Sequence, residues 1–464
     1  MGKRVRQLIL LLGMLALLSG CMSRSGEEFY TLPQLPEDYL ALQQTITKVM
    51  SDLGAEYAAP ASGTNTQNIQ LQDLDGDGVQ ESALAFFRVP GAEEKPLKIY
   101  IFRQNPDTDE YEVAWIIEGD GTGIYSMALE NLGGTPDKEL VVSWQISAKV
   151  QSLSAYSLQR GGDVVELMRS GYTKHAVVDL DRDNEKEIVL IQLDTAENNS
   201  RAELYNYDNG LMVHTSAAPL SLGIAEIQAA KVGTLTNLMP ALFVSSDLTE
   251  GGGRVTDIIA LRDGVLTNLT LDTESGKSLS TIRTYTDFKD VNGADINNDG
   301  ILELPLPELL PPVGESSASA YLLHWIQCDP EGQAERVCTT FHNYEDGWYL
   351  ILPESWQGKV TAARKDSGGS TAGTERAVGF YYLPEGTGKE GEEPPEPEEF
   401  LTIYRLTGTN RARRAALEGR FILFEGSDVI YAARFRDMEW DCGLDRDKLQ
   451  ENFNRIKVDW STEY

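Results

Sequence analysis

The sequence predicts a mainly β fold: a β-propeller of about five, and at most seven, four-stranded blades, followed by a C-terminal α+β domain. Three observations predict it. An acidic nine-residue string occurs three times, each copy running directly into an apolar segment of β character. Weaker copies lie between the good ones at a spacing that fits one blade each. Short alternating runs separated by Gly, Asn and Asp turns fill the remaining length.

The strings are Asp73-Leu-Asp75-Gly-Asp77-Gly-Val79-Gln-Glu81, Asp179-Leu-Asp181-Arg-Asp183-Asn-Glu185-Lys-Glu187 and Asp295-Ile-Asn297-Asn-Asp299-Gly-Ile301-Leu-Glu303. Side-chain oxygens at positions one, three, five and nine, with a main-chain carbonyl at position seven (Val79, Glu185, Ile301), would supply the roughly six to seven hard oxygen ligands that Ca²⁺ prefers. Position six is Gly78, Asn184 and Gly300, residues that tolerate the left-handed backbone a sharp turn requires. An EF-hand is excluded: position twelve is Leu84, Leu190 and Leu306 where that motif needs a bidentate Glu. The segments that follow, Ala83–Phe87, Ile188–Ile191 and Leu304–Leu306, read as buried strands. Pro305 puts the third at an edge or a bulge.

Two degenerate copies complete the series. Asn131 to Val142 keeps the glutamate at position nine (Glu139) but has no oxygen side chain at position three, and Gly233 to Val244 has lost nearly all of them. First positions at 73, 131, 179, 233 and 295 are separated by 58, 48, 54 and 62 residues. That spacing suits blades of four strands better than solenoid coils or helical repeats. Here the chain resembles the FG-GAP/VCBS repeat family, the blades of integrin-α-like propellers. The D-x-D/N-x-D-G-x-x-D/E loop followed by strand residues carries the resemblance over 60–345. Glutamate replaces the more usual aspartate at position nine, and the FG and GAP tripeptides are not evident.

At the amino end Lys3, Arg4 and Arg6 precede the apolar run Leu8–Leu18. The run is shorter than a bilayer span of about 20 residues and has the form of a signal peptide over 1–20. It closes with Leu18-Ser19-Gly20-Cys21, which resembles the bacterial lipobox. That resemblance implies a diacylated Cys21, of the palmitate type, as mature N-terminus, and hence a protein anchored at the outer face of a bacterial cytoplasmic membrane. An ordinary signal peptide with a chance cysteine is the plainer alternative. Residues 21–35 then form a tether. Residues 36–59 hold an amphipathic helix and linker, with Leu42, Ile46, Val49, Met50 and Leu53 on one face and Gly54 as its stop; the helix either covers the first blade or acts as a spacer.

The formal net charge of −32 becomes −35 without the three leader cations, 37 basic against 72 acidic residues. Such a field argues against nucleic acid or any anionic polymer as partner and suits cation binding. Cys328 and Cys338 bracket Asp329–Gln333, a hairpin turn, so either a cross-strand disulfide or two thiols in neighbouring strands fits. Cys442 reads as a small core residue beside Trp440.

From 346 to 464 the rhythm changes. Runs at Lys359–Ala363, Ala377–Leu383, Phe400–Leu406, Phe421–Phe424 and Val429–Phe435 predict an antiparallel sheet, and Leu444–Ile456 a closing helix. Glu385–Glu399 predicts a solvated, disordered acidic loop. Arg411, Arg413 and Arg414 read first as a solvated helix end or turn, with an anionic ligand as the sharper alternative.

The four histidines, His175, His214, His324 and His342, show no metal-ligand spacing, and no nucleophile elbow, phosphate loop or dinucleotide fingerprint occurs. Two readings of function follow. The first is a surface lipoprotein whose calcium-stabilised propeller binds a glycan, peptide or envelope protein. The second is an extracytoplasmic glycan hydrolase or lyase using a propeller cleft. Missing catalytic motifs favour the first.

Overall fold

A computed structural model describes residues 37–92, 94–105, 108, 110–159, 163–249, 253–272, 274–279, 293–314, 319–366, 374–384 and 396–456. Strand follows strand in antiparallel meanders, each a sheet that hands the chain to the next. The first sheet holds Ile69–Gln72, Ser82–Arg88, Leu97–Gln104 and Tyr111–Gly119, with Glu56–Tyr57 continuing the line of its first strand. The second holds Gly123–Glu130, Glu139–Ser147, Val150–Leu158 and Val164–Tyr172, and the third Lys174–Val178, Glu187–Gln192, Arg201–Asp208 and Leu211–Pro219. The fourth holds Ile224–Thr234, Pro240–Leu248, Arg254–Arg262 and Val265–Asn268. These are propeller-type blades, and the fifth follows the same plan from Leu304–Leu309 through Tyr321–Cys328 and Ala334–Asn343.

Face-to-face packing of consecutive sheets explains the apolar runs. In the first sheet Leu84, Phe86, Ile99 and Ile101 pack against Leu140, Val142 and Trp144 of the second. Alternate residues of the same strands, Ala83, Ala85, Phe87, Tyr100 and Phe102, point the other way and meet Leu42 and Ile46 of α1, Glu37–Leu53. A strand buried on both faces has no polar alternation, which is why Ala83–Phe87 reads as a continuous apolar run. Further clusters join the second sheet to the third, the third to the fourth, and the fourth to the fifth. Among the described residues no buried cluster joins the first blade to the last sheet. Helix α1 covers the exposed face of the first blade, resolving the alternatives of cover and spacer.

The C-terminal sheet runs Val360–Asp366, Glu375–Tyr382, Glu398–Thr407, Val429–Phe435 and Phe421–Glu425 in spatial order. It packs on the fifth blade through Phe341, Trp348, Trp356, Phe380 and Phe400. A short helix, α2 (Arg411–Ala415), lies on its far face over Leu406, Ile430 and Ala432. Three expectations are corrected here. The boundary at 346 falls inside the fifth sheet, because Trp348–Ile351 pairs with Ala334–Asn343. The helix expected over Leu444–Ile456 is only α3, Arg446–Asn452, since Phe453–Arg455 turns extended and pairs with Trp348–Leu350. The acidic loop ends before Glu399, which lies in a strand and pairs with Lys365 and Arg436; residues 385–395 lie outside the described set.

Pro305 lies in the outermost named strand of its sheet, where a missing N–H is harmless. Asp329–Gln333 is the hairpin turn expected. Its flanking cysteines are free thiols: Cys328 packs between the fourth and fifth sheets, while Cys338 packs against Leu323 and Trp325 in a different cluster. Arg414 bonds Thr407 O and Thr374 Oγ1 and lies 3.7 Å from Glu375, so this arginine of the basic cluster braces the sheet.

Burial holds His175 down at about 4 and His342 at about 3. Both are neutral in the folded chain, while an unfolded histidine takes a proton near pH 6.5. The unfolded state therefore binds more protons below that pH, and stability present above it is lost as pH falls toward 4. Each group steepens the loss by up to about 1.4 kcal/mol per pH unit. Chemical unfolding of the parent and His342→Phe between pH 7 and 4 checks this: the variant should lose less stability over that range.

Candidate metal centres

The first two strings form the turn between the first two strands of their blades, and the third lies at the corresponding place ahead of the fifth sheet. The loop at Asp73 joins Ile69–Gln72 to Ser82–Arg88, and that at Asp179 joins Lys174–Val178 to Glu187–Gln192. The loop at Asp295 starts from Ala294, which bridges Glu303, and enters Leu304–Leu309. The degenerate copies at Asn131 and Gly233 occupy the same place in the second and fourth blades.

Backbone amides fold the strings inward. The carboxylate of position one takes the N–H of position six in all three, Gly78, Asn184 and Gly300, at 3.1, 3.1 and 3.0 Å. Those residues have φ of 89°, 71° and 85°, as the sequence requires. The carboxylate of position five, Asp77, Asp183 or Asp299, takes the N–H of position seven, Val79, Glu185 or Ile301, at 2.8, 2.7 and 2.9 Å. Such bonds are the turn chemistry of Asp and Asn. They also hold the oxygen atoms in a common orientation.

The structure brings carboxylates together in each loop. Oxygens of Asp73, Asp75, Asp77 and Glu81 lie within 4.8 Å of one another, as do those of Asp179, Asp181 and Glu187, and those of Asp295, Asp299 and Glu303. Asp183 does not join its group; it is exposed and its Oδ1 is taken by Glu185 N. Asn297 bonds Asp299 twice, through Oδ1 to the Asp299 N–H and through Nδ2 to Oδ2. In the first loop Asp75 Oδ1 and Glu81 Oε2 are buried with no hydrogen-bond partner. An unpaired buried carboxylate oxygen is costly, so these oxygens fit a cation. Cys21 lies outside the described residues.

Position nine has a second role that sequence reasoning missed. Glu139, Glu187 and Glu303 each accept the N–H of position two through Oε2, from Leu132, Leu180 and Ile296 at 2.9, 2.7 and 2.9 Å. The position-two side chains are buried, so this bond pins the loop to the core. Burial pushes Glu187 and Glu303 up to about 7, and Glu139 upward as well; in Glu187 the charges of Asp181, Asp183 and Asp179 add to the effect. Recurrence of an apolar residue at position two, even in the Asn131 copy, was the available signal.

Neighbouring blades, and other strands of the same blade, reach into the loops. Lys138, at position eight of the second copy, donates from its main chain to Leu74 O and from Nζ to Asp73 O and Oδ2. Arg103 approaches Asp75 at 3.3 Å. Lys186 and Leu302, also at position eight, donate main-chain N–H groups to Asn131 O and Thr234 O of the preceding copies. Gln327 Nε2 bridges Asp299 Oδ2 and Glu303 Oε1 at 2.6 and 2.7 Å. Nothing in the local string announces Arg103 or Gln327, because strand pairing alone brings them in.

No family model matches the chain, and no curated protein does. Solved structures with similar arrangements include a protein from Lactobacillus plantarum, at 10% identity, 73% of this chain, 87% of that one and a TM-score of 0.29. A rhamnogalacturonan lyase from Bacillus licheniformis matches at 12% identity, 68% of each chain and a TM-score of 0.29. A periplasmic gluconolactonase from Pseudomonas aeruginosa matches at 10% identity, 74% and 97% coverage and a TM-score of 0.27. Likenesses this distant carry no argument about activity.

The second blade separates the two roles of position nine. Glu139→Ala should cost about 1–3 kcal/mol by leaving the Leu132 N–H unpaired in the core, and should leave the number of bound metal ions unchanged. Denaturant unfolding and metal stoichiometry on the same variant measure both.

Proposed function

We propose that this chain is a membrane-anchored bacterial surface lipoprotein of the FG-GAP/VCBS type. Its propeller is stiffened by calcium and works as a binding or adhesion module toward a glycan, peptide or envelope protein. The observation that carries the reading is the convergence of carboxylates at one topological position in three blades. Hard oxygen donors on short rigid turns select a hard cation, and Ca²⁺ accepts this donor number. Asp73, Asp75, Asp77 and Glu81 would hold one ion, Asp179, Asp181 and Glu187 a second, and Asp295, Asp299 and Glu303 a third. Main-chain carbonyls of Val79, Glu185 and Ile301 and the amide of Asn297 would complete the shells. Bound cation would relieve repulsion within each loop and hold the first two strands of the blade in register.

Catalysis is the weaker reading. The carboxyls with raised proton affinity, Glu187 and Glu303, are each tied to a buried main-chain N–H inside a loop. That environment accounts for them without acid–base chemistry.

Anchoring rests on the lipobox-like Leu18–Cys21. No described helix is long and apolar enough to cross a membrane, and two acyl chains hold stably where one does not.

Two experiments test the proposal. Full-length protein in detergent should melt higher as calcium rises into the range of about 10⁻⁴–10⁻³ M typical of extracellular modules, and Asp77→Ala or Asp299→Ala should each remove one ion. Asp183→Ala should weaken its loop less, since Asp183 stands outside the converging group. An unchanged melting temperature up to several-fold above that range rejects calcium. Separately, Cys21→Ser should shift the protein from the membrane fraction to the medium or to an unprocessed precursor. Normal processing and membrane retention of that variant would reject the anchor.

A further inference from the structure

A cleft of about 650 Å³ opens between α1 and the first strand of the first blade. This volume is typical of small-molecule sites. Its chemistry is unusual for this chain. Charged residues make up 24% of the sequence, yet among the described residues no Asp, Glu, Lys or Arg lines the cleft. Amide side chains do so instead: Gln43 from α1, Asn65 and Gln67 from the preceding loop, Gln72 from the strand and Gln80 from the Asp73 loop. The half-buried Ile69 and Leu71 of the strand add apolar surface.

Gln70 braces the wall. It is buried, and its Nε2 donates to Asn65 O and Gln67 O at 3.0 and 3.1 Å. Gln43, Gln67 and Gln80 are exposed, and their side chains make no hydrogen bond to the described residues. Each therefore offers both a donor pair and an acceptor to a ligand.

We propose that this cleft binds a neutral oligosaccharide. A sugar hydroxyl is donor and acceptor at once, and amides match that duality where carboxylates or ammonium groups do not. An anionic glycan would meet the field of a chain carrying −32. A cationic ligand would prefer the acidic loops to a cleft without charge. An added peptide strand is the competing occupant, but the edge available is only Ile69–Gln72, four residues. The free amides also come from a helix, a loop and a turn, surrounding the ligand, whereas strand addition uses one straight main-chain edge. This inference deepens the binding-module reading and needs neither the lipid nor the calcium assignment.

Calorimetric titration of the full-length protein in a sugar-free zwitterionic detergent tests it, with cellohexaose, xylohexaose, maltohexaose, mannohexaose and chitohexaose as probes. At least one should bind. Gln43→Ala/Gln67→Ala, both on the surface, should weaken it about tenfold or more, while Arg413→Ala on the far sheet should not. Failure of all five sugars, or equal affinity in the double variant, overturns the proposal. Binding of an uncharged Ser/Asn peptide that the double variant loses, without sugar binding, overturns the saccharide assignment and leaves a binding module standing.

Discussion

One bond recurs through the molecule and organises the rest: a glutamate at the start of the second strand accepting a main-chain N–H seven residues back. Glu139–Leu132, Glu187–Leu180 and Glu303–Ile296 all have it. In these three loops it closes the turn, holds the position-two side chain in the core and sets where the following strand begins. In the Asp179 and Asp295 loops the other carboxylates gather around the turn thus fixed, whereas in the Asp73 loop Glu81 Oε2 has no hydrogen-bond partner. The Asn131 copy retains the bond although Asn131, Gly133 and Thr135 stand where the other copies carry their gathered carboxylates, so loop closure does not require the full acidic set.

Closure has an electrostatic cost. Burial holds Glu187 and Glu303 at about 7, well above an unfolded carboxylate. A raised folded value means the group stabilises the fold fully below its unfolded value and loses that contribution as pH rises through 7. At neutral pH and above, the metal-free loops therefore carry buried charge beside like charge. The protein answers this differently in each blade. Lys138 and Arg103 lean on the first loop and Gln327 donates into the fifth blade, while among the described residues no side chain of another strand donates to the Asp179 cluster. A divalent cation would remove the same cost at all three, and would compete with Lys138 and Arg103 only at the first. Counting carboxylates alone ranks the Asp73 loop with the Asp179 loop; these neighbouring cations lower it.

Local patterns made much of this legible. The strings, their left-handed position six, the two-faced burial of Ala83–Phe87, the helix of Leu42 and Ile46, the edge position of Pro305 and the turn after Cys328 are all short-range consequences of residue type. What stayed hidden depends on distant partners. Trp348–Ile351 joins the fifth blade because its own neighbours pair there, and Phe453 leaves helical geometry because Trp348–Leu350 offers it an edge. The separation of Cys328 from Cys338 follows from which cluster each faces. Arg103 and Gln327 reach the loops only once the strands are paired.

On the calcium reading, three blades hold a cation in the loop that opens on Ser82–Arg88, Glu187–Gln192 and Leu304–Leu309. The most direct measurement is anomalous diffraction from crystals of the full-length chain grown in calcium, collected at long wavelength where calcium scatters anomalously. The account predicts three peaks, among Asp73, Asp75, Asp77 and Glu81, among Asp179, Asp181 and Glu187, and among Asp295, Asp299 and Glu303, with none at Asn131 or Gly233. Absence of density at all three clusters in millimolar calcium would contradict it.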